Sequence, residues 1–456
     1  MSTLLNTRSD GTAAIPSAYK IDECTLTNKD GVAIDLQPYV REIKIIESLY
    51  SPTLFCTVGI RDDLNLLETL PIYGLETVYI RLSRKQGNGG AEQKFERLFY
   101  ITDYPGFVRA DRQRVQAWKL SAVSYHAFKD NTMRISRYYP SGNPIAHIIK
   151  IAKDAFGMTL ITQGDTIQRG RGIINTQTPL QAIEWFRRRL YGTNGEPFYF
   201  YETLKCLEKQ AFLTCHNKIV SDAIFDTFVS SRDFNTTPDT LEDYNALRQR
   251  MISVTSMLKL GKFDPMLDGS FGANGMYVDI ANRSFKKMTY NYTSQFPISS
   301  TIYNTSILKT PPPFDPNIPD DIRGGGGAPT IKINEEKLDE QFYSKIDHIS
   351  LNSQAYSGAV QNYNMWSHEK LLQLSAYPGI FNTLSHDVTV YGNFELNVGK
   401  IVQLNFPKSA DPGVIGTGEL YDKVMSGKYI VVSVAHKFEG QTYTCDFKAK
   451  RDSFTK

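Results

Sequence analysis

No stretch of this 456-residue chain reaches the roughly 18 consecutive apolar residues that a membrane-spanning helix needs, so no helical membrane anchor is expected. The opening MSTLLNTRSD has no apolar core of a secretory signal. Cysteine is scarce and odd in number: Cys24, Cys56, Cys206, Cys215 and Cys445, with no pair at CxxC spacing. That argues against a disulfide framework and against a zinc site, and it fits a reducing compartment. Cys56 and Cys445 fall inside strand patterns and read as small core residues. A strong excess of either charge is missing too. The 51 basic and 48 acidic residues leave a formal net charge of +3, too balanced to draw nucleic acid or membrane by long-range attraction. The densest basic spots, Arg187-Arg188-Arg189 and Arg169/Arg171, read as a solvated helix face or loop.

The signatures of common catalytic sites are absent as well. His368-Glu369 is followed by Lys370, Leu371 and Leu372, so the second histidine of HExxH is missing. Gly399-Lys400 and Gly427-Lys428 lack both the following hydroxyl and the earlier glycine of a phosphate-binding loop. Gly269-Ser270-Phe271-Gly272 has its serine one place too early for a nucleophile elbow. The glycines at 324–327 precede Ala328-Pro329, a linker rather than a helix start. The seven histidines (126, 147, 216, 348, 368, 386 and 436) are scattered along the chain. The pair Asp62/Asp63 reads as turn chemistry. No catalytic, cofactor-binding or metal-binding residue is assigned, and a non-enzymatic protein without a cofactor is expected.

What the sequence does contain is β patterning. Residues 1–17 are polar and read as a flexible arm. Over 18–128, Leu54, Cys56, Val58 and Ile60 alternate with Phe55, Thr57 and Gly59, and Val78, Ile80 and Leu82 alternate with Thr77, Tyr79 and Arg81. Turn signals at Ser51-Pro52, Asp62-Asp63, 87–90 and Pro105-Gly106 cut this text into short strands, as in a small barrel or sandwich. Residues 129–197 change character. Asn143 and Pro144 open a helix running to about Phe156 with Gly157 as its stop, and Thr178 opens another from Pro179 to Leu190. Strand text resumes at 198–232. Residues 233–380 read as a long irregular insert, with Pro311-Pro312-Pro313, Gly324–Gly327 and a closing helix around 355–375 carrying Trp366, Leu371, Leu372 and Leu374. Residues 381–456 are β again, ending in a hairpin of 429–438 with 442–449 that puts Tyr443, Cys445, Phe447 and Ala449 on one face.

Aromatic residues make up 12% of the chain. Phe55 and Trp118 are read as opposing the inner faces of their strands, where contact between subunits would cover them. Tyr290, Tyr292 and Tyr303 admit two readings, a partner surface or an ordinary loop.

Two stretches carry a family resemblance. Glu47-Ser48-Leu49-Tyr50-Ser51-Pro52, then an alternating strand to Asp62-Asp63, then Leu70-Pro71-Ile72-Tyr73-Gly74-Leu75-Glu76, resembles the first tube barrel of the central baseplate hub proteins of contractile-tailed bacteriophages. Gly392-Asn393-Phe394-Glu395-Leu396-Asn397-Val398-Gly399-Lys400-Ile401-Val402, Ser426-Gly427-Lys428-Tyr429-Ile430-Val431 with Val434-Ala435-His436, and the closing Lys450-Arg451-Asp452-Ser453-Phe454 resemble that family's C-terminal strands. These pieces cover about a third of the chain, and the insert at 233–380 matches no motif.

The resemblance implies a mainly β fold with α+β inserts: two antiparallel tube-type β-barrels, the first over 18–128 and the second over 198–232 with 381–456. It also implies a homotrimer, a ring of six barrels that adapts a hexameric tail tube to a trimeric central spike. The implied partners are the spike or needle protein, a tube-initiator or tube protein, and baseplate wedge proteins. DNA would only pass through. The implied location is the virion tail baseplate, assembled in the host cytoplasm. A tail-associated cell-wall hydrolase and the hub of a phage-like secretion or tailocin particle remain as alternatives.

Overall fold

In a computed structural model the described residues are 17–63, 66, 74, 76–85, 92–103, 107–109, 116–230, 247–258, 270, 272–279, 284–305, 347–351, 368–381, 384–407 and 421–453. The expected flexible arm except Ser17, the proline run at 311–313, the glycines at 324–327 and Trp366 lie outside them.

The alternating text of the N-terminal region folds as eight strands: β1 (Lys20–Thr27), β2 (Ala33–Asp35), β3 (Val40–Ser48), β4 (Phe55–Asp62), β5 (Thr77–Lys85), β6 (Glu92–Asp103), β7 (Phe107–Arg109) and β8 (Gln116–Val123). They pair antiparallel in the order β3-β4-β8-β6-β5-β1-β2, with β7 beside β8. The inner face carries Ile43, Ile45, Cys56, Val58, Ile60, Leu120 and Ala122, all buried. The β1–β2 and β3–β4 pairings each run one step further, where Leu36 N–H donates to the Cys24 carbonyl and Arg61 N–H to the Tyr39 carbonyl.

Residues 125–221 follow as a mixed unit: α1 (Tyr125–Asp130), β9 (Ile135–Gly142), α2 (Pro144–Phe156), β10 (Thr159–Gln163), β11 (Gly170–Gln177), α3 (Pro179–Arg187), β12 (Phe198–Tyr201), β13 (Gln210–Cys215) and α4 (His216–Ser221). The helix signals act as their chemistry requires. Asn143 Oδ1 accepts from Ile145 N–H at 2.9 Å, and Gly157 closes α2 at φ 65°, a left-handed value that glycine adopts without a Cβ clash. Thr178 and Gln181 form a reciprocal capping box on α3, which ends at Arg187 and not at Leu190. Strands β12 and β13 were expected to begin the second barrel. They pair instead with β10 in a separate three-stranded sheet, because β12 and β13 pack Phe198, Phe200, Ala211 and Leu213 against the helices of this unit.

The remaining described strands are β14 (Ile224–Val229), β15 (Met251–Leu258), β16 (Gly272–Asp279), β17 (Ser284–Asn291), β18 (Asp347–Leu351), β19 (Leu384–Tyr391), β20 (Ile401–Asn405), β21 (Gly427–Glu439) and β22 (Thr442–Arg451), with helices α5 (Tyr292–Gln295) and α6 (His368–Phe381). The supposedly irregular insert thus holds four strands. β15 joins the main sheet beside β19, and β17-β16-β18 form a small sheet of their own. The closing helix runs to Phe381, six residues past the expected end and through Pro378. Its later turns are held by burial of Ala376, Tyr377, Ile380 and Phe381 in the core.

The fold is mainly antiparallel β with α+β inserts, but the two expected barrels are not separate closed cylinders. All strands of both ends belong to one 14-stranded sheet. The reason lies in β21, whose 13 residues serve both halves. Its first residues pair with β20, and Ser433–Glu439 pair with β3. The C-terminal half curls in the order β14-β20-β21-β22-β19-β15, and a single bridge, Val229 to Arg250, spans the gap between its ends.

Candidate functional site: an assembly surface on a clamped sheet

Alternation decides which side chains each half offers to solvent. Phe55 faces outward opposite Val123 and is 37% exposed. Trp118 does not share that side. It lies opposite Ile60 on the inner face, 5% exposed, and its Nε1–H donates to Asp62 Oδ2 at 3.1 Å. The sequence reading of Trp118 as outward is therefore corrected. An indole needs a buried partner for its one N–H, and Asp62 supplies it. Asp62 also accepts from Leu66 N–H at 2.8 Å, so this carboxylate does more than shape a turn.

Tyr290 and Tyr292 are buried, packed with Phe296 and Tyr377 (Tyr292–Phe296 centroids 4.6 Å, Phe296–Tyr377 4.9 Å). Burial holds the Tyr290 hydroxyl protonated far above its usual range. Tyr303 is half-buried, with Arg451 against its ring at 5.9 Å and its hydroxyl accepting from Lys428 N–H. The structure thus separates the five expected interface residues: Phe55 is exposed, Tyr303 half-buried, and Trp118, Tyr290 and Tyr292 buried.

What sequence reasoning missed is a set of buried carboxylates that clamp the parts together. Glu47, at the end of β3, accepts from Leu204 N–H at 2.7 Å, Asn397 Nδ2 at 3.2 Å and Val398 N–H at 3.1 Å. His436 Nε2 lies 3.5 Å from Glu47 Oε1, and His436 Nδ1 is 2.8 Å from the Tyr443 hydroxyl. Burial by itself would lower the His436 pKa, but Cys445 and the Glu47 carboxylate outweigh it and bring it to about 9. Glu202 binds Arg97 at 3.2 Å, His126 Nε2 at 3.2 Å and Leu54 N–H at 3.2 Å. Asp452 binds His216 Nε2 at 3.1 Å and Ile302 N–H at 3.0 Å. Each carboxylate joins segments far apart in the chain. The one sequence signal was Glu47 in its ESxxSP turn and Asp452 in the closing segment, both parts of the resemblance.

None of these groups lines an open cleft. Among the described residues no three or more His, Cys, Asp or Glu side chains are grouped so as to hold a metal ion. The open features are of another kind. Towards one end of the β3–β21 seam the outward residues are charged, with Lys44 opposite Lys437 and Glu42 opposite Glu439. A shallow depression of about 380 Å³ on the same side is lined by Ser253, Thr255, Asp387, Thr389, Asp446 and Lys448 among others. The end strand β15, MISVTSML, has no charge and no proline. Beyond the Val229–Arg250 bridge at its start, its far edge has no strand partner among the described residues. Such an edge presents unpaired backbone groups and is a template for another strand. Ile252 and Met257 are exposed on it.

No family model matches the sequence. No curated protein matches it either. Solved structures do. The tail protein from Neisseria meningitidis superposes with a TM-score of 0.50 at 10% identity, over 95% of this chain and 97% of that one. The 43 kDa tail protein of prophage MuSo2 from Shewanella oneidensis gives 0.50 at 11% identity, over 94% and 98%. The chain has the fold of these tail proteins. The likeness spans nearly the whole of all three chains. It points the same way as the motif resemblance in the first and last strands.

Proposed function

We propose that this chain is a structural hub of a contractile phage tail baseplate, without enzymatic activity, working as a trimeric ring between tail tube and central spike. The observation that carries the reading is the single sheet running through both halves. Two six-strand curls, β3-β4-β8-β6-β5-β1 and β14-β20-β21-β22-β19-β15, share the β3–β21 seam. Three copies would present six such curls, the number needed to meet a sixfold tube above a threefold spike. A heterologous contact that closes by rotation gives a ring, and the uncharged edge of β15 suits strand pairing at that contact. The charged outward face around Lys44, Lys437, Glu42 and Glu439 suits a water-filled channel through which DNA passes unread. The fold shared with two tail proteins, one of them of a prophage, supports a place in the virion tail.

A tail-associated cell-wall hydrolase would need free acid, base or metal ligands in a cleft. The buried carboxylates found here are consumed by structural bonds, which favours the hub. A hub of a phage-like secretion or tailocin particle is compatible with the same fold. The deciding experiment is solution mass with the spike and tube proteins present. Three times 51.6 kDa, or trimerisation on adding the spike, is expected. A stable monomer that ignores both partners, or one that cleaves peptidoglycan, sinks the proposal.

A further inference from the structure

The ribbon formed by β9 and β11 stands apart from the main sheet, and its two faces differ sharply. Its inner face is packed. Tyr139 and Ile174 are buried, and Tyr139 meets Phe186 edge-on at 5.3 Å. Gly172 lies so close to Trp185 that a Cβ there would sit 2.6 Å from its Cζ3. The outer face is bare. Tyr138 and Ile173 are directly opposite each other and are 56% and 74% exposed. Ile167, just ahead of β11, is exposed as well. Scattered exposed apolar residues are ordinary. A registered aromatic–aliphatic pair on the free side of a two-stranded ribbon is different, since the fold would tolerate polar residues at both places.

Charge indicates what covers the pair. Residues 129–197 hold ten Lys and Arg against five Asp and Glu, a net +5 in a chain whose total is +3. Four of the five acids are already engaged within the protein. Glu184 pairs with Arg187 and Arg188, and Asp154 with Arg137. Asp130 accepts from Leu180 N–H, and Glu196 is buried with Ser300 donating to it. Alternation along β11 puts Arg171 on the side of Ile173, and exposed Arg169 stands just before it. An apolar centre of Tyr and Ile rimmed by arginine has the composition of a protein–protein contact. DNA phosphates would use the arginines but leave Ile173 without a counterpart.

We propose that the outer face of the β9–β11 ribbon docks an acidic protein surface, with Tyr138 and Ile173 as the apolar anchors and Arg169 and Arg171 as the charged rim. The inference does not rest on the hub reading. Both strands also have open outer edges among the described residues, so an extended acidic segment can add as a further strand.

The test uses the full chain and three fluorescent probes: a strand-forming peptide of alternating Glu and Leu, its Lys and Leu counterpart, and a short DNA duplex. The acidic peptide is expected to bind more tightly than either other probe, and to weaken as salt rises. Ile173→Ser and Tyr138→Ser are each expected to cost roughly tenfold in affinity. Both side chains are exposed, so melting temperature should not move; Arg169→Glu with Arg171→Glu is a second route to the same loss. Equal or tighter binding of DNA or of the basic peptide, no binding of the acidic peptide, or indifference to these substitutions overturns the proposal. A change in the oligomeric mass of Ile173→Ser also overturns it, because the occupant would then be another copy of the chain. The hub reading is tested by that mass in the unsubstituted chain, so the two can fail separately.

Discussion

Glu47 accepts a 2.7 Å hydrogen bond from the backbone N–H of Leu204, 157 residues further along the chain. One carboxylate at the end of β3 thereby holds the mixed unit. Through Val398 N–H and Asn397 it also holds the loop that leads into β20. Replacing Glu47 with alanine would leave two buried backbone N–H groups without an acceptor. Each orphan costs about 1–3 kcal/mol, and removing one member of a buried charged cluster about 3–5 kcal/mol. Glu47→Ala should therefore lose several kcal/mol of stability in denaturant unfolding, or fail to fold. Glu47→Gln, which keeps the shape and one acceptor, should lose less. If Glu47→Ala unfolds like the parent, the clamp is not holding these parts together.

Stability should peak near pH 6.5. His436 is raised from 6.5 to about 9 in the fold, so the contribution of its charged form is complete below pH 6.5 and is lost as pH rises towards 9. His386 moves the other way, to about 4, through burial and then the nearby Arg451. Its ring is bonded to Ser256 and Tyr429 at 2.8 and 2.9 Å. The unfolded chain then takes up a proton at His386 that the folded chain refuses, and stability falls as pH drops from 6.5 towards 4. Melting temperature against pH should show both limbs. His436→Gln should flatten the alkaline limb and His386→Gln the acid limb. A curve unchanged by both substitutions contradicts the assignment.

Gly392 follows β19 with its carbonyl accepting from the Arg84 guanidinium and its Cα against the face of Tyr443. A Cβ at this position would fall among the atoms of that ring, which is stacked on Phe438 at 4.2 Å and has nowhere to go. Gly392→Ala should cost about 1–3 kcal/mol by overpacking. Gly31→Ala serves as a contrast, because nothing lies within 4 Å of a Cβ there and only its φ of +81° is penalised. Equal unfolding midpoints for Gly392→Ala and the parent would refute the close approach.

The edge of β15 gives a prediction about assembly. Ile252→Lys and Met257→Lys place charge on exposed positions of an end strand, the usual means of blocking edge-to-edge pairing. Each should leave the unfolding free energy within about 0.5 kcal/mol of the parent's, as surface changes do. Light scattering should show the oligomer dissociating. Retention of the full oligomer by both variants would mean that subunits meet elsewhere.

Much of the local structure could be read from the residues. Period-two text specified β4, β5 and β22 and put Tyr443, Cys445 and Phe447 on one face, which the fold buries. Asn143, Pro144 and Gly157 marked both ends of α2, because caps and φ limits are properties of single residues and their neighbours. The reading failed where a strand's partner decides its role. Met251–Leu258 carries weak alternation and became β15 only by lying along β19, and Phe198–Tyr201 reads as barrel text but joined β10 and β13. The outward reading of Trp118 failed because alternation gives two faces without saying which is inside.

The sequence by itself determined the β character, the helix ends and the turn chemistry, since these follow from backbone preferences and side-chain spacing over a few residues. Only the tertiary structure decided that both ends of the chain merge at the β3–β21 seam, and that Glu47, Glu202 and Asp452 would find partners far away in the chain. Those contacts join residues up to some 350 positions apart, as between Glu47 and Val398. No local periodicity encodes which distant backbone N–H will need a buried carboxylate.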